Sequence, residues 1–353
     1  MGIMSREGND SDNTTRNAST SNRTAQPFSI NGPNWDFMGG FYVVIIILAL
    51  FTNGPVLVAF FSRRNLWTPF NVYLMNLLSA NILNVVLQNI PDLFNHLYSG
   101  WWLGDGYCSV LVFGLYFLNA GVQNCHILIA INRIWAVFWP YSYRHSHTKR
   151  VALLFCLAGW LEVSAMVLPG FILDILYYRT DPLKNGCSLN IEAQWMWSAV
   201  TQFLLYNMGL QVMWLAYPII WYKRRLVQKV APTTAAIETA RSETDKRRSS
   251  VEQERSARET TVGRSGVPRP RQKRSSKAFT VLTVLTISVT VCWTPIHVLY
   301  TLMLWWPFDR IGPLLLDIAV VLFSLQSVLD PILFVCTLPE LQESLRRAIT
   351  RAG

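Results

Sequence analysis

Along most of this chain the hydrophobic positions run without interruption instead of alternating with polar ones. Seven such stretches are each long enough to cross a bilayer core, which takes roughly 20 residues. They cover Gly40–Phe61, Phe70–Leu93, Cys108–Trp139, Val151–Leu173, Trp195–Trp221, Ala278–Trp305 and Gly312–Val335. Lipid offers the backbone no hydrogen bonds, so these spans must be helices or closed barrels. Continuous apolar runs lack the in–out alternation of a barrel strand. The pattern therefore predicts an all-α fold, a seven-transmembrane helix bundle. Beyond the last span, Leu341, Leu345 and Ile349 recur at a spacing of four, with Glu and Arg opposite. That predicts a short amphipathic helix over Pro339–Ile349.

Composition agrees with a chain dissolved largely in lipid. It is 51% hydrophobic and only 15% charged, and it holds 14 tryptophans. A soluble domain carries about 25% charged residues. The net charge of +10 is confined to Lys223–Lys277, where 16 Lys/Arg face 6 Asp/Glu. Localised this way, the charge reads as a basic cytoplasmic loop and not as a nucleic-acid-binding surface. None of the six cysteines forms a CxxC pair, so no structural zinc site is expected. Residues 1–38 are polar, without the apolar core of a cleavable signal peptide. Gly2 is followed by Arg6 where a myristoylation signal wants Ser or Thr.

Charge also orients the chain. Arg63 and Arg64 follow the first span, Arg144, Lys149 and Arg150 the third, Lys223 to Arg225 the fifth, and Arg346 and Arg347 the seventh. The opposite loops are poor in base. Positive charge stays in the cytosol, which puts the N-terminus outside in a multi-pass plasma-membrane protein. Four glycosylation triplets, at Asn9, Asn13, Asn17 and Asn22, agree. Three parts follow: a glycosylated extracellular tail (1–38), a seven-span domain (39–338), and an amphipathic helix with a short tail (339–353). Within the second, residues 223–276 form a third cytoplasmic loop expected to be disordered. The loop carries Arg247-Arg248-Ser249-Ser250 and Lys273-Arg274-Ser275-Ser276, which look like sites for basophilic kinases.

A set of marks in order resembles the rhodopsin-like G-protein-coupled receptor family. Asn53-Gly54 lies in the first span, and Asn71, Tyr73, Asn76, Leu77 and Ala80 lie in the second. Trp102-Leu103-Gly104 precedes Cys108, and Arg133 follows that cysteine by 25 residues. Trp160 and Pro169 mark the fourth span, Cys292-Trp293-Thr294-Pro295 the sixth, and Asp330-Pro331-Ile332-Leu333-Phe334 the seventh. Pro140-Tyr141-Ser142-Tyr143-Arg144 and the Tyr116 region look most like receptors for small amines, the muscarinic-like branch. The resemblance implies a disulfide between Cys108 and Cys187. It also implies a switch built from Asn81, Asn132, Arg133, Tyr222, Trp293, Pro295, Asp330, Pro331 and Phe334. Pro295 removes a backbone hydrogen bond and kinks its helix, and in the family this helix swings outward to admit a G protein.

The departures from the family pattern are specific. The helix 2 aspartate is Asn81 and the helix 7 asparagine is Asp330, so one carboxylate and one amide have changed places. Val122 stands where Ser is frequent, which puts the family's sodium site in doubt. Asn132 replaces the acid before Arg133, Ile134 the tyrosine after it, and Ser275 the acid at the base of helix 6. Trp214 occupies the helix 5 proline position, with Pro218 one turn inward. The amine-binding aspartate is Leu115, and no lysine in Gly312–Val335 could form a retinal Schiff base. The expected ligand site is Asp92, Leu115, Tyr116, Asn119, Trp293, His297, Tyr300 and Ser324, with Gln326 in the pocket and Asp317 near its mouth. His126, like His297, has the sequence context of a packed polar residue and not of a metal ligand.

These observations imply a receptor for an extracellular small molecule or peptide that activates a heterotrimeric G protein. Arrestin and kinases would meet its third cytoplasmic loop, and lipids its outer surface. No catalytic constellation, cofactor, metal or nucleic-acid partner is expected. The alternatives are a receptor-like protein that does not signal and, with neither internal repeats nor broken helices to favour it, a transporter.

Overall fold

The computed structural model describes residues 32–98, 100–223, 225–226, 272–306 and 312–352. The sequons at Asn9, Asn13, Asn17 and Asn22 and most of the basic loop lie outside these residues. Eight helices carry the architecture: α1 (Phe37–Ser62), α2 (Pro69–Leu97), α3 (Asp105–Phe138), α4 (Lys149–Tyr178), α5 (Trp195–Lys223), α6 (Gln272–Met303), α7 (Pro313–Thr337) and α8 (Pro339–Ala352). Among the described residues, seven helices are long and apolar enough to cross a membrane.

Several helix starts are set by local chemistry. The Asp36 side chain accepts from the Gly39 amide at 2.8 Å and caps α1. Thr68 caps α2, with Pro69 at its first helical position, and Thr148 caps α4. Such a cap satisfies an amide that has no partner within the helix. Two boundaries differ from the sequence reading. Helix α1 takes Phe37 and Met38 from the tail, because Asp36 is the cap. Helix α6 begins at Gln272, inside the stretch assigned to the disordered loop, because the polar run from Gln272 continues the helix without Pro or Gly.

The helices differ in what they face. Two thirds (67%) of the apolar window of α3 is buried, against 28% for α1 and α4. Helix α3 is thus the bundle's axis. Helices α1 and α4 turn Val44, Ile47, Phe51, Leu154, Leu157 and Leu161 outward, as a lipid-facing surface requires. Phe60, Leu74, Leu77, Leu78, Ile129, Trp293 and Phe334 form the main core. Gly121 lets α4 approach α3: a Cβ there would lie 2.4 Å from the Trp160 ring. That ring's Nε1 donates to Asn76 Oδ1 at 3.0 Å and so joins α4 to α2. Helix α8 buries Leu341 and Ser344 and leaves Glu343, Arg346 and Arg347 exposed.

Three single turns widen from α to π geometry: Val85–Asn89 in α2, Asp174–Tyr178 in α4 and Gln202–Asn207 in α5. The first has a visible cause. Pro91 follows at once, and its ring would clash with the carbonyl four residues back in a regular helix. The wider turn relieves that clash.

Cys108 at the start of α3 is bonded to Cys187 in the α4–α5 loop, with Cα atoms 5.5 Å apart. Asn95 clamps the loop twice more: its Oδ1 accepts from the Cys187 amide at 2.9 Å and its Nδ2 donates to the Cys187 carbonyl at 3.2 Å. Removing a native disulfide typically costs about 2–5 kcal/mol in small domains. Cys187→Ser should therefore lower the thermal midpoint of the purified protein. A midpoint equal to wild type would show the bond to be dispensable.

Candidate functional site

A cavity of about 110 Å³ opens between the helices at the end of the bundle that carries the disulfide. Asp92, Leu115, Tyr116, Asn119, Trp293, His297, Tyr300 and Ser324 all line it, as does Gln326. Asp317 does not; it is half-buried on α7 outside the lining. The walls also include Tyr42, Asn84, Gln88, Asn89, Gln202 and Tyr206, which the sequence reading missed. A signal for part of this set was available. Asn81, Asn84, Gln88 and Asp92 fall at helical spacing, one polar stripe along an otherwise apolar helix.

The widened turns supply much of the remainder. In α5 the π turn loosens the backbone ladder, and the Tyr206 carbonyl accepts instead from Gln123 Nε2 on α3 at 2.6 Å. The Tyr206 hydroxyl donates to the Tyr116 carbonyl at 3.1 Å. In α2 the π turn brings both Gln88 and Asn89 to the cavity wall. Asn84 reaches across to α3, its Nδ2 donating to Asn119 Oδ1 at 2.9 Å.

Beneath the cavity lies a buried polar cluster centred on Asp330, which has no exposure to solvent. Its Oδ2 accepts from Asn81 Nδ2 at 3.2 Å and from His126 Nε2 at 3.2 Å. Its Oδ1 accepts from Gln326 Nε2 at 2.6 Å. Gln326 in turn accepts from the Ser288 hydroxyl on α6 at 2.8 Å. Asn53 on α1 accepts from Asn81 at 3.3 Å and donates to the Ser327 carbonyl at 2.8 Å. His126, expected only to pack, thus supplies an N–H to the bundle's most buried carboxylate. Its ring also meets Trp293 edge-on, with centroids 5.0 Å apart. Trp293 therefore has one side on the cavity and the other on this cluster.

At the opposite end of the bundle Arg133 meets no carboxylate among the described residues. Its guanidinium carbon lies 3.3 Å from the centroid of the Phe70 ring, and its Nε has no hydrogen-bond partner. Asn132 turns to other groups: its Nδ2 lies 2.9 Å from His147 Nε2, and its Oδ1 accepts from the Tyr143 hydroxyl at 3.2 Å. The Tyr73 hydroxyl lies 3.3 Å from the same His147 nitrogen. An amide nitrogen only donates, so His147 Nε2 accepts and the ring is neutral. Tyr222 is 62% exposed on the outside of α5 and makes no hydrogen bond to this group in the described residues. Phe334 is fully buried in the core. The Ser275 side chain lies outside the described set. Among the described residues, no group of three or more His, Cys, Asp or Glu is placed to hold a metal ion.

The comparisons with known proteins match this architecture. Residues 52–334 fit the profile of the seven-transmembrane receptors of the rhodopsin family. The chain belongs to that family. Among curated proteins it is similar to the alpha-2B adrenergic receptors of Orycteropus afer and Elephas maximus, each 30% identical over 161 residues, which is 44% of this chain and 40% of the relative. The alpha-2B adrenergic receptor of Mus musculus is 30% identical over 155 residues, covering 42% of this chain and 33% of the relative. The matched segment thus spans about two fifths or less of these relatives' length.

Two outcomes test the two clusters. Asn81→Asp should place a second carboxylate beside Asp330, while Asp330→Asn should leave His126, Gln326 and Asn81 facing a poor acceptor. The double variant should recover thermal stability that the singles lose, with a coupling of about 0.5–3 kcal/mol. Strictly additive losses would rule out the contact. At the other end, burial and then the Arg133 charge push the His147 pKa below its ordinary 6.5. The folded chain thus holds the neutral ring, and the unfolded chain binds the proton more readily. Stability from this contact is complete above about pH 6.5 and is lost as pH falls below it. Acidifying from about pH 7.5 to about pH 5.5 should therefore lower the thermal midpoint more in wild type than in His147→Asn. Equal shifts would show that His147 does not titrate against the fold.

Proposed function

We propose that this protein is a ligand-operated receptor of the plasma membrane that catalyses nucleotide exchange on a heterotrimeric G protein. The observation that carries this reading is the position of Trp293. One tryptophan lines the cavity and also packs on the histidine that holds Asp330. A ligand that settles on Trp293 with different affinity in two states of the bundle shifts their populations by that difference. Pro295 and Pro331 interrupt the backbone ladders of α6 and α7 beside this point, so both helices have a place to bend.

The orientation proposed puts the disulfide, the cavity and the sequons at Asn9, Asn13, Asn17 and Asn22 outside the cell. The basic loop and Arg133 then face the cytosol, in accord with the placement of positive charge. The cavity's volume of about 110 Å³ favours a small molecule over a peptide. The G protein would dock at the Arg133 end, and arrestin and kinases would meet the loop of residues 223–276. Membrane lipids would cover the outward faces of α1 and α4.

The resting state of Arg133 leads to a specific expectation. A hydrogen bond to a charged partner contributes about 1.5–3 kcal/mol, and Arg133 rests on Phe70 without one. A resting state weaker by about 1.4 kcal/mol shifts its equilibrium with the active state about tenfold. Ligand-free nucleotide exchange should therefore exceed that of mock-transfected membranes at matched surface expression. Asn132→Asp, which puts a carboxylate next to Arg133 in the chain, should reduce it. Exchange no higher than mock with every G-protein class tried would instead identify a receptor-like protein that does not signal.

A further inference from the structure

The cavity contains a carboxyl group that no described basic side chain pairs with. Asp92 on α2 is 9% exposed, and its carboxylate lines the wall. Among the described residues its hydrogen-bond partner is Tyr42, whose hydroxyl donates to Oδ2 at 3.0 Å. No described Lys, Arg or His forms an ion pair with it; the neighbouring His96 pairs with Asp36 instead. Burying a carboxylate that has one hydrogen-bond donor and no counter-charge is costly, so a cation at this wall would be stabilised by it. The lining contains no Lys or Arg, so an anionic ligand would meet only a like charge there. It does contain the rings of Tyr42, Tyr116 and Tyr300, whose faces attract cations.

A second, independent observation describes the other end of the ligand. His297 is 4% exposed, lines the cavity, and has no hydrogen-bond partner on either ring nitrogen. The Trp293 indole N–H, also on the wall, has no acceptor. Buried polar groups in native proteins are almost always paired, so these atoms await partners. A donor-only indole needs an acceptor, and an imidazole takes a group that both donates and accepts.

We infer that Asp92 is the anchor for a small organic cation that also carries a neutral hydrogen-bonding group. An ammonium or amidinium head would sit against Asp92 and Tyr42. A hydroxyl or amide at the other end would reach Trp293 Nε1 and His297. This rests on the receptor reading above and deepens it. It also places the cation on α2, away from Leu115 on α3, the position that the resemblance gives to the amine-binding aspartate.

The test uses the purified full-length protein in detergent, with thermal unfolding followed by tryptophan fluorescence. The probes are ethanolamine, choline, histamine, tyramine and agmatine as cations, propanol and acetamide as neutral compounds, and acetate and succinate as anions. At least one cation should raise the midpoint with concentration, and the neutral compounds and anions should not. Asp92→Asn should weaken that cation at least about tenfold, while Asp317→Asn, outside the cavity, should leave it unchanged. The ligand-free midpoint of Asp92→Asn should equal or exceed wild type, because the variant removes an unpaired charge. A lower ligand-free midpoint, a variant that fails to fold, or cation binding that survives Asp92→Asn would each overturn the assignment. So would stabilisation of the wild type by anions or by no cation in the panel. Cation binding through Asp92 without nucleotide exchange would defeat the receptor reading alone. Exchange driven by a neutral or anionic compound, and unaffected by Asp92→Asn, would defeat this inference alone.

Discussion

A carboxylate sealed away from water must be met by donors, and where those donors come from decides how a bundle is tied together. Asp330 takes its three from α2, α3 and its own helix, while Asn53 joins α1 and Ser288 joins α6 through the flanking amides. Five of the seven spans therefore converge on one charge. Between helices in lipid there is little hydrophobic drive to associate, so packing and such bonds carry more of the specificity. A charge in this position is also expensive, which is why it is found deep in the bundle and fully partnered. The identity of the donors matters as much as their number. Two are amides, and the third is an imidazole.

The same economy holds at the far end. Where an acid might have restrained Arg133, a ring supports it and a neutral group of Tyr73, Asn132, Tyr143 and His147 closes around the neighbouring residue. Both ends thus rely on short-range, directional contacts.

Much of this was legible in the residues and some was not. Uninterrupted apolar runs identify the spans because lipid leaves the backbone few choices, and the Cys108–Cys187 bond follows from the family's order of marks. The exchange of amide and acid between positions 81 and 330 was visible as two substitutions, and the structure shows them in contact. The eight residues expected at the ligand site share one cavity. What escaped was whatever depended on the rotation of a helix about its axis. An apolar run does not say which side faces inward, so Tyr42 and Gln202 looked like any others. The local widening at Val85–Asn89 and Gln202–Asn207 shifts the facing further, and no simple period describes it. His126 escaped for another reason: its partner lies 204 positions away in the chain.

Those widened turns have a consequence for how the family can diversify. Each holds one more residue per turn than its neighbours, so deleting a single residue there could restore a regular ladder without breaking the helix. The wide turn advances about as far around the axis with five residues as a regular helix does with four, so the helix beyond would keep its phase. In α5 the walls on either side of Gln202–Asn207 would keep their facing, and only the turn itself would lose a side chain. Elsewhere in a span the same deletion would rotate everything beyond it by about 100°, one residue's share of an α-turn.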